Sequence, residues 1–271
     1  MKFLFCGDVM GKTGRQAVVK YIPILRQELK LDFIVVNGEN AAGGFGITRK
    51  IADELFAAGV DVITTGNHIW DQKEMISGIN GEARILRPLN YPEGTPGQGF
   101  GVYNTRTGYR VAVANVMGRL FMDPLDDPFA ALNRHLNSLY LGVNCDAVIV
   151  DIHAEASSEK QAVATFLDGR ASLVIGTHTH VPTADHRILP NGTAFQTDAG
   201  MCGDYDSIIG MRKEIALPRM VRKIPGERNE PAEGPATLCG LMVTTDPKTG
   251  LAKSVHPVRV GGILEPVLPG V

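Results

Sequence analysis

Five short apolar runs along the chain each stop within a few residues of a polar side chain able to bind a metal. They are Phe3-Leu4-Phe5 before Asp8, Phe33-Ile34-Val35-Val36 before Glu39, Val62-Ile63 before Asn67 and His68, Val148-Ile149-Val150 before His153, and Leu173-Val174-Ile175 before His178 and His180. Short β-branched runs bounded by Gly or Asn predict buried strands. Between them, residues 16–29, 49–58 and 159–167 carry apolar positions at helical spacing, and this alternation up to about residue 180 predicts an α/β layered fold. Beyond Thr193 the pattern turns β-rich, through 193–196, 237–243 and 253–255, and these strands are expected to join the same core as a second sheet. The Pro- and Gly-rich stretches 91–101 and 223–235 read as exposed loops too short to link domains, so one domain over 1–271 is expected.

In an open α/β sheet, ligands gather beyond the carboxyl ends of the strands. Five strands that end on Asp, Glu, Asn and His therefore point to one polar site, most simply a metal centre. Each residue alone has a plainer explanation: Asp8 can cap a turn, Glu39-Asn40 can be loop chemistry, and a solitary His is commonly a hydrogen-bonded structural residue. The set resists that explanation, because four of the seven histidines (His68, His153, His178, His180) lie just past predicted strands. His135 falls in a helical, exposed-looking segment, and His186 and His256 are assigned to surface or turn. In His178-Thr179-His180, residues two apart in an extended or turning segment point the same way, so both imidazoles can face one cavity.

A mixed set of carboxylate, amide and imidazole suits two borderline divalent ions, Fe²⁺ or Mn²⁺, with Zn²⁺ also compatible. Two ions about 4 Å apart clamp phosphoryl oxygens and hold a hydroxide between them. Glu39 is the expected bridge and Asn67 a neutral oxygen ligand. His68, turned to the other face of the chain, is then free to protonate a leaving alkoxide.

Charge narrows the partners: 27 Lys plus Arg against 29 Asp plus Glu leave a formal charge of -2, so no strong nucleic-acid footprint and no attraction to an acidic membrane are expected. A nucleotide-sized substrate remains allowed, as does a homo-oligomer. The four cysteines are widely spaced without a Cys-x-x-Cys pair, no apolar run approaches a membrane span, and the first apolar run is too short for a signal peptide. A cytoplasmic protein with reduced thiols fits these features.

Gly7-Asp8, Gly38-Glu39-Asn40, Gly66-Asn67-His68, a lone His153 and Gly176-Thr177-His178-Thr179-His180 resemble, in order and spacing, the five motifs of the calcineurin-like metallophosphoesterases. With Asn115-Val116-Met117-Gly118 and Thr197-Asp198-Ala199-Gly200-Met201, the whole chain resembles the bacterial branch that hydrolyses cyclic nucleotides, notably 2′,3′-cyclic monophosphates. The resemblance implies a four-layer α/β/β/α sandwich and a metal-dependent phosphodiesterase that attacks with a metal-bridging hydroxide. It implies Asp8 and His180 on the first metal, Glu39 between the two, Asn67, His153 and His178 on the second, and His68 as general acid. Two positions depart from the broader superfamily. Its first motif reads Asp-x-His, where this chain has Asp8-Val9-Met10, and a thioether is a poor ligand for a hard ion. Its second carries Asp where Glu39 stands. Asn40 is counted among the metal ligands as a replacement for the missing His; the alternative is that it only hydrogen-bonds the site.

Two other readings compete. Residues 6–13, Cys6-Gly7-Asp8-Val9-Met10-Gly11-Lys12-Thr13, almost spell a phosphate-binding P-loop, but Cys6 stands where Gly is needed and Asp8 places a carboxylate where phosphates would lie. Lys12, Thr13 or Arg15 either contact a substrate phosphate or simply solvate a helix N-terminus. The other reading is a regulatory protein that binds a nucleotide or RNA with little turnover. Residues 117–122 form either a substrate wall, with Phe121 stacking a base and Arg119 reaching a phosphate, or, as the favoured reading, a hydrophobic lid or subunit contact.

Overall fold

The computed structural model describes residues 1–224 and 226–270. In chain order the first half runs β1 (Lys2–Cys6), β2 (Asp8–Val9), α1 (Gly11–Glu28), β3 (Phe33–Asn37), α2 (Arg49–Ala57), β4 (Val62–Thr64), α3 (Glu74–Gly78), β5 (Ile85–Leu86), β6 (Phe100–Asn104) and β7 (Arg110–Met117). The second runs α4 (Pro128–Leu136), β8 (Ala147–His153), α5 (Ser157–Phe166), β9 (Leu173–Thr177), β10 (Arg187–Ile188), β11 (Ala194–Gln196), β12 (Met201–Asp204), α6 (Lys213–Arg222), β13 (Ala236–Thr245) and β14 (Ala252–Gly261).

One sheet has the order β2-β12-β13-β1-β3-β4-β5, with β14 also paired to β13, and the other has the order β10-β11-β9-β8-β7-β6. Strands β1, β3, β4 and β5 are parallel to one another, as are β7, β8 and β9. Side chains alternate between the faces of each strand. Phe3, Phe5, Phe33 and Val35 therefore point inward, where they meet Val111, Val113, Ile149 and Ile175 of the second sheet. Their neighbours Leu4, Cys6, Ile34 and Val36 pack outward against Val18 and Ile22 of α1 and Leu55 of α2. On the far side, Ala112, Val148 and Val150 pack against Leu132 of α4 and Val163 of α5. The result is the expected α/β/β/α sandwich, in which burial on both faces explains why these strands read as continuous apolar runs.

The C-terminal strands depart from expectation. Rather than forming the second sheet, β12, β13 and β14 complete the first, where β13 runs antiparallel to β1 with Leu241 opposite Phe5. The physical reason is the free edge of β1 on the side away from β3, which needs a partner apolar on both faces. Strand β13 offers one, with Leu241 and Val243 facing the second sheet and Leu238 and Met242 facing α1. Only β10 and β11 join the second sheet, which β6 to β9 begin. His256 is exposed as expected, but on β14 rather than in a turn, and His135 is exposed on α4. Among the described residues, no helix is long and apolar enough to cross a membrane.

Candidate metal centre

The carboxyl ends of both parallel sets meet at one end of the sandwich. Asp8 lies just past β1, Glu39 just past β3 and Asn67 just past β4, while His153 is the last residue of β8 and His178 and His180 follow β9. Nε2 of His153 lies 3.1 Å from Asn67 Oδ1, 3.2 Å from His178 Nδ1 and 3.5 Å from Glu39 Oε1. Its Nδ1 meets the Thr177 hydroxyl at 2.9 Å and lies 3.7 Å from Asp8 Oδ1. On the other side of Asp8, His180 Nε2 stands 3.1 Å from Asn40 Oδ1 and 4.0 Å from Asp8 Oδ1. The cluster thus brings together Asp8, Glu39, Asn40, Asn67, His153, His178 and His180.

The two histidines after β9 face the cluster for a reason other than strand alternation. Both have left-handed backbones, with φ of 94° at His178 and 64° at His180. Such conformations cost about 1–3 kcal/mol each in a non-glycine residue. Thr179 between them is tied down: its N–H and hydroxyl donate to Asp198 Oδ2 at 3.1 and 2.6 Å. The same oxygen accepts from the fully buried Lys160 Nζ at 2.8 Å, and Asp198 Oδ1 accepts the Gly200 N–H at 2.8 Å.

The donor chemistry fits a cation. The Asn40 amide NH₂ donates to the Gly44 carbonyl at 2.9 Å, so its oxygen is the atom turned to His180. His180 Nδ1 lies 2.8 Å from the Ile209 carbonyl, which requires a proton there, so that whenever the ring carries one proton its Nε2 presents a lone pair. In that form two acceptors face each other. Asp8 Oδ1 and Glu39 Oε2 are buried with no hydrogen-bond partner, a costly arrangement for carboxylates. Adjacent donors around one ion at about 2.1 Å stand about 3 Å apart, which matches the separations in the cluster. Among the described residues, no three His, Cys, Asp or Glu side chains close around one point by themselves. The asparagine oxygens of Asn40 and Asn67 enlarge the donor set.

The charges of the cluster act strongly on one another. Burial pushes the Asp8 carboxyl above its ordinary range, although His180 and His153 pull it down. Burial acts on Glu39 in the same direction but is outweighed by the charge and hydrogen bond of His153, which leave it below its ordinary range. Burial also opposes protonation of His153, yet Glu39 and Asp8 overcome it and raise the imidazole to about 8. Burial and the neighbouring His153 and His180 depress His178 to about 2, so this ring is a neutral donor of a lone pair.

His68 stands at the edge of the cluster, partly exposed. Its N–H donates to Glu39 Oε1 at 2.6 Å, and its Nδ1 lies 2.8 Å from Asp71 Oδ2. Asp71 thereby fixes a proton on Nδ1 and sets the orientation of the ring, leaving Nε2 outside that contact. Asp71 was not legible from the strand-end pattern, because it lies in the turn after His68 rather than after a strand. Asn37 and Asp151 were missed as well. Asn37 Oδ1 accepts the Glu39 N–H at 2.9 Å, and its amide donates to Asp151 Oδ2 at 2.9 Å. Burial raises Asp151 to about 6 despite His153 and its hydroxyl and amide partners. A carboxylate inside the apolar run Val148-Ile149-Val150-Asp151-Ile152 was the available signal. Gly66 gives the His153 ring its space, since a Cβ there would fall 2.2 Å from that ring's Nε2.

The P-loop resemblance finds no cradle. The Met10 N–H donates to the Cys202 carbonyl at 2.9 Å, Gly11 N–H to Asn40 at 3.0 Å and Gly14 N–H to Met10 at 3.1 Å, so these donors are already engaged. Lys12 is exposed, and Arg15 Nη1 donates to the Ala41 carbonyl at 2.5 Å. Within 117–122, Phe121 is 92% exposed.

Residues 4–258 match the family described as YmdB-like protein. The sequence is 45% identical to the 2′,3′-cyclic-nucleotide 2′-phosphodiesterase of Bacillus subtilis (strain 168) over 260 residues, which cover 96% of this chain and 97% of that protein. A hypothetical protein from Thermus thermophilus has a similar structure, with a TM-score of 0.89 at 44% identity, covering 97% of this chain and 100% of that one. A novel phosphatase from Mycoplasma pneumoniae superposes with a TM-score of 0.88 at 34% identity, covering 96% and 93% of the two chains.

Proposed function

Because the chain belongs to the YmdB-like family, a family of calcineurin-like phosphoesterases, we propose that it is a dinuclear metal-dependent phosphodiesterase acting on small cyclic nucleotides, 2′,3′-cyclic monophosphates first among them. The substrate class is supported by the activity named for the Bacillus subtilis relative, 45% identical over nearly the full length of both chains. The observation that carries the metal dependence is the pair of acceptors His180 Nε2 and Asn40 Oδ1 at 3.1 Å, beside the partnerless Asp8 Oδ1 and Glu39 Oε2.

In this reading Asp8, Asn40 and His180 would hold one ion, Asn67, His153 and His178 would hold the other, and Glu39 would serve both. Iron or manganese suits the mixed donor set best, with zinc also accommodated. Two such ions would supply the positive charge that draws in the phosphoryl oxygens and would make water nucleophilic at neutral pH. The amide donors Asn40 and Asn67 keep the net negative charge facing an anionic substrate small. His68 Nε2 donates a proton to the departing sugar oxygen, and Asp71 orients the ring and balances its charge. The Glu39 oxygen that accepts the His68 N–H ties the position of that ring to the metal ligands. We place the enzyme in the cytoplasm, where its four buried free thiols stay reduced.

The test is reconstitution. Protein stripped of metal is reloaded separately with Mn²⁺, Fe²⁺ and Zn²⁺ and assayed with bis-p-nitrophenyl phosphate, p-nitrophenyl phosphate and 2′,3′-cyclic AMP. Metal-restored hydrolysis of the diester and the cyclic nucleotide is expected. Two bound ions without turnover of any substrate would contradict the proposal and favour the regulatory binding protein.

A further inference from the structure

Next to His68 stands a ring that proton transfer does not require. Phe45, between β3 and α2, packs against the His68 imidazole with ring centroids 5.2 Å apart and planes at 82°. Over the same phenyl ring, 5.6 Å from its centroid, lies the guanidinium of Arg228, which arrives from the segment between α6 and β13. Phe45 is half-buried and Arg228 exposed. Asp71 already orients His68, so the aromatic ring and the planar cation need another purpose.

The proton that His68 delivers goes to a sugar oxygen, so the nucleoside must lie on the His68 side of the phosphate. Whatever borders His68 there is what the base meets. Bases are held by stacking on aromatic rings and on guanidinium planes. The guanidinium carbon lies 5.6 Å from the phenyl centroid, a cation–π contact that an arriving base would replace on the ring face. Arg228 is exposed, so its side chain is free to lie on the outer face of a base stacked on Phe45. We propose that Phe45 and Arg228 form the nucleobase subsite, the base lying between the phenyl ring and the guanidinium. The inference rests on the cyclic-nucleotide phosphodiesterase reading and deepens it. Since every base has a π-face, this subsite accepts all four bases and discriminates chiefly against substrates without one.

The experiment compares kcat/KM for 2′,3′-cyclic AMP with that for methyl β-riboside 2′,3′-cyclic phosphate, which keeps the reacting ring and lacks the base. The wild-type holoenzyme is expected to prefer the nucleotide by about 5- to 100-fold, the span that stacking of one base supports. In Phe45→Leu and in Arg228→Ala the ratio falls toward one, and the loss appears in KM more than in kcat. General damage to the fold or the centre lowers both substrates together and leaves the ratio unchanged. A wild-type ratio near one, or a ratio unmoved in both variants, overturns the subsite while leaving the phosphodiesterase intact. Absence of turnover with either substrate in the wild-type holoenzyme overturns the functional reading, and the subsite falls with it. Arg228→Ala alters an exposed side chain and keeps the test available if Phe45→Leu does not fold.

Discussion

Nε2 of His180 and Oδ1 of Asn40 face each other at 3.1 Å, and each residue uses its own hydrogen elsewhere, His180 on the Ile209 carbonyl and Asn40 on that of Gly44. A cation between them resolves the opposition. In the proposed centre Asn40, past β3, would stand in for the His that related motifs carry at the position of Met10, past β2. Met10 itself is buried, against Gly203 and Gly210.

Asn40→Ala is expected to lose about one ion per chain, with little change in the thermal midpoint of the stripped protein. Asn40→His, which restores an imidazole donor, should recover part of the occupancy. Elemental analysis of reloaded protein checks this, and full occupancy in Asn40→Ala would reduce Asn40 to a hydrogen-bonding residue.

His68→Ala should keep both ions and lose about 10²- to 10⁴-fold in kcat on 2′,3′-cyclic AMP, the range for a general acid. Asp71→Asn should lose less. With bis-p-nitrophenyl phosphate, whose leaving group needs little protonation, both losses should shrink. Equal losses on the two substrates would mean that His68 serves binding and not proton transfer.

Gly66→Ala places a methyl group where the His153 ring lies, with ring atoms 2.2 Å from the new carbon. The ring must swing away from Asn67 and His178, so the variant is expected to bind one ion fewer and to turn over at least tenfold more slowly. Retention of two ions would show that the ring has room that the packing does not reveal.

Lys160 and Asp198 form a buried pair, 1% and 0% exposed, with Nζ 2.8 Å from Oδ2. Lys160→Met strands the carboxylate that ties down Thr179, and removing one partner of a buried pair costs about 3–5 kcal/mol. Urea denaturation of the stripped protein should show a shift of that order, and a change below about 1 kcal/mol would contradict a fully desolvated pair.

Much of this arrangement was legible before the structure, because strand ends in parallel sheets share an edge. Apolar runs that end on Asp8, Glu39, Asn67, His153 and His178 were sufficient to bring distant residues to one place. Strand β13 was assigned to the wrong sheet because alternation reports which faces a strand buries and not which free edge it fills. The spacing of His178 and His180 led to a common cavity by an argument from strand geometry, whereas the chain reaches it through two left-handed residues held by Asp198. Asp71 and Lys160 left no mark on the pattern: one occupies a turn, and the other is a helix lysine whose buried ammonium is paired with a carboxylate 38 positions away.

Whether this cluster holds two ions with Glu39 serving both is read from the metal-to-protein ratio of the purified, reloaded chain beside that of Glu39→Gln. Two ions per chain are expected in the wild type, with occupancy and turnover falling together in the variant. One ion or none in the wild type at saturating metal, or two ions and full activity in Glu39→Gln, would contradict it.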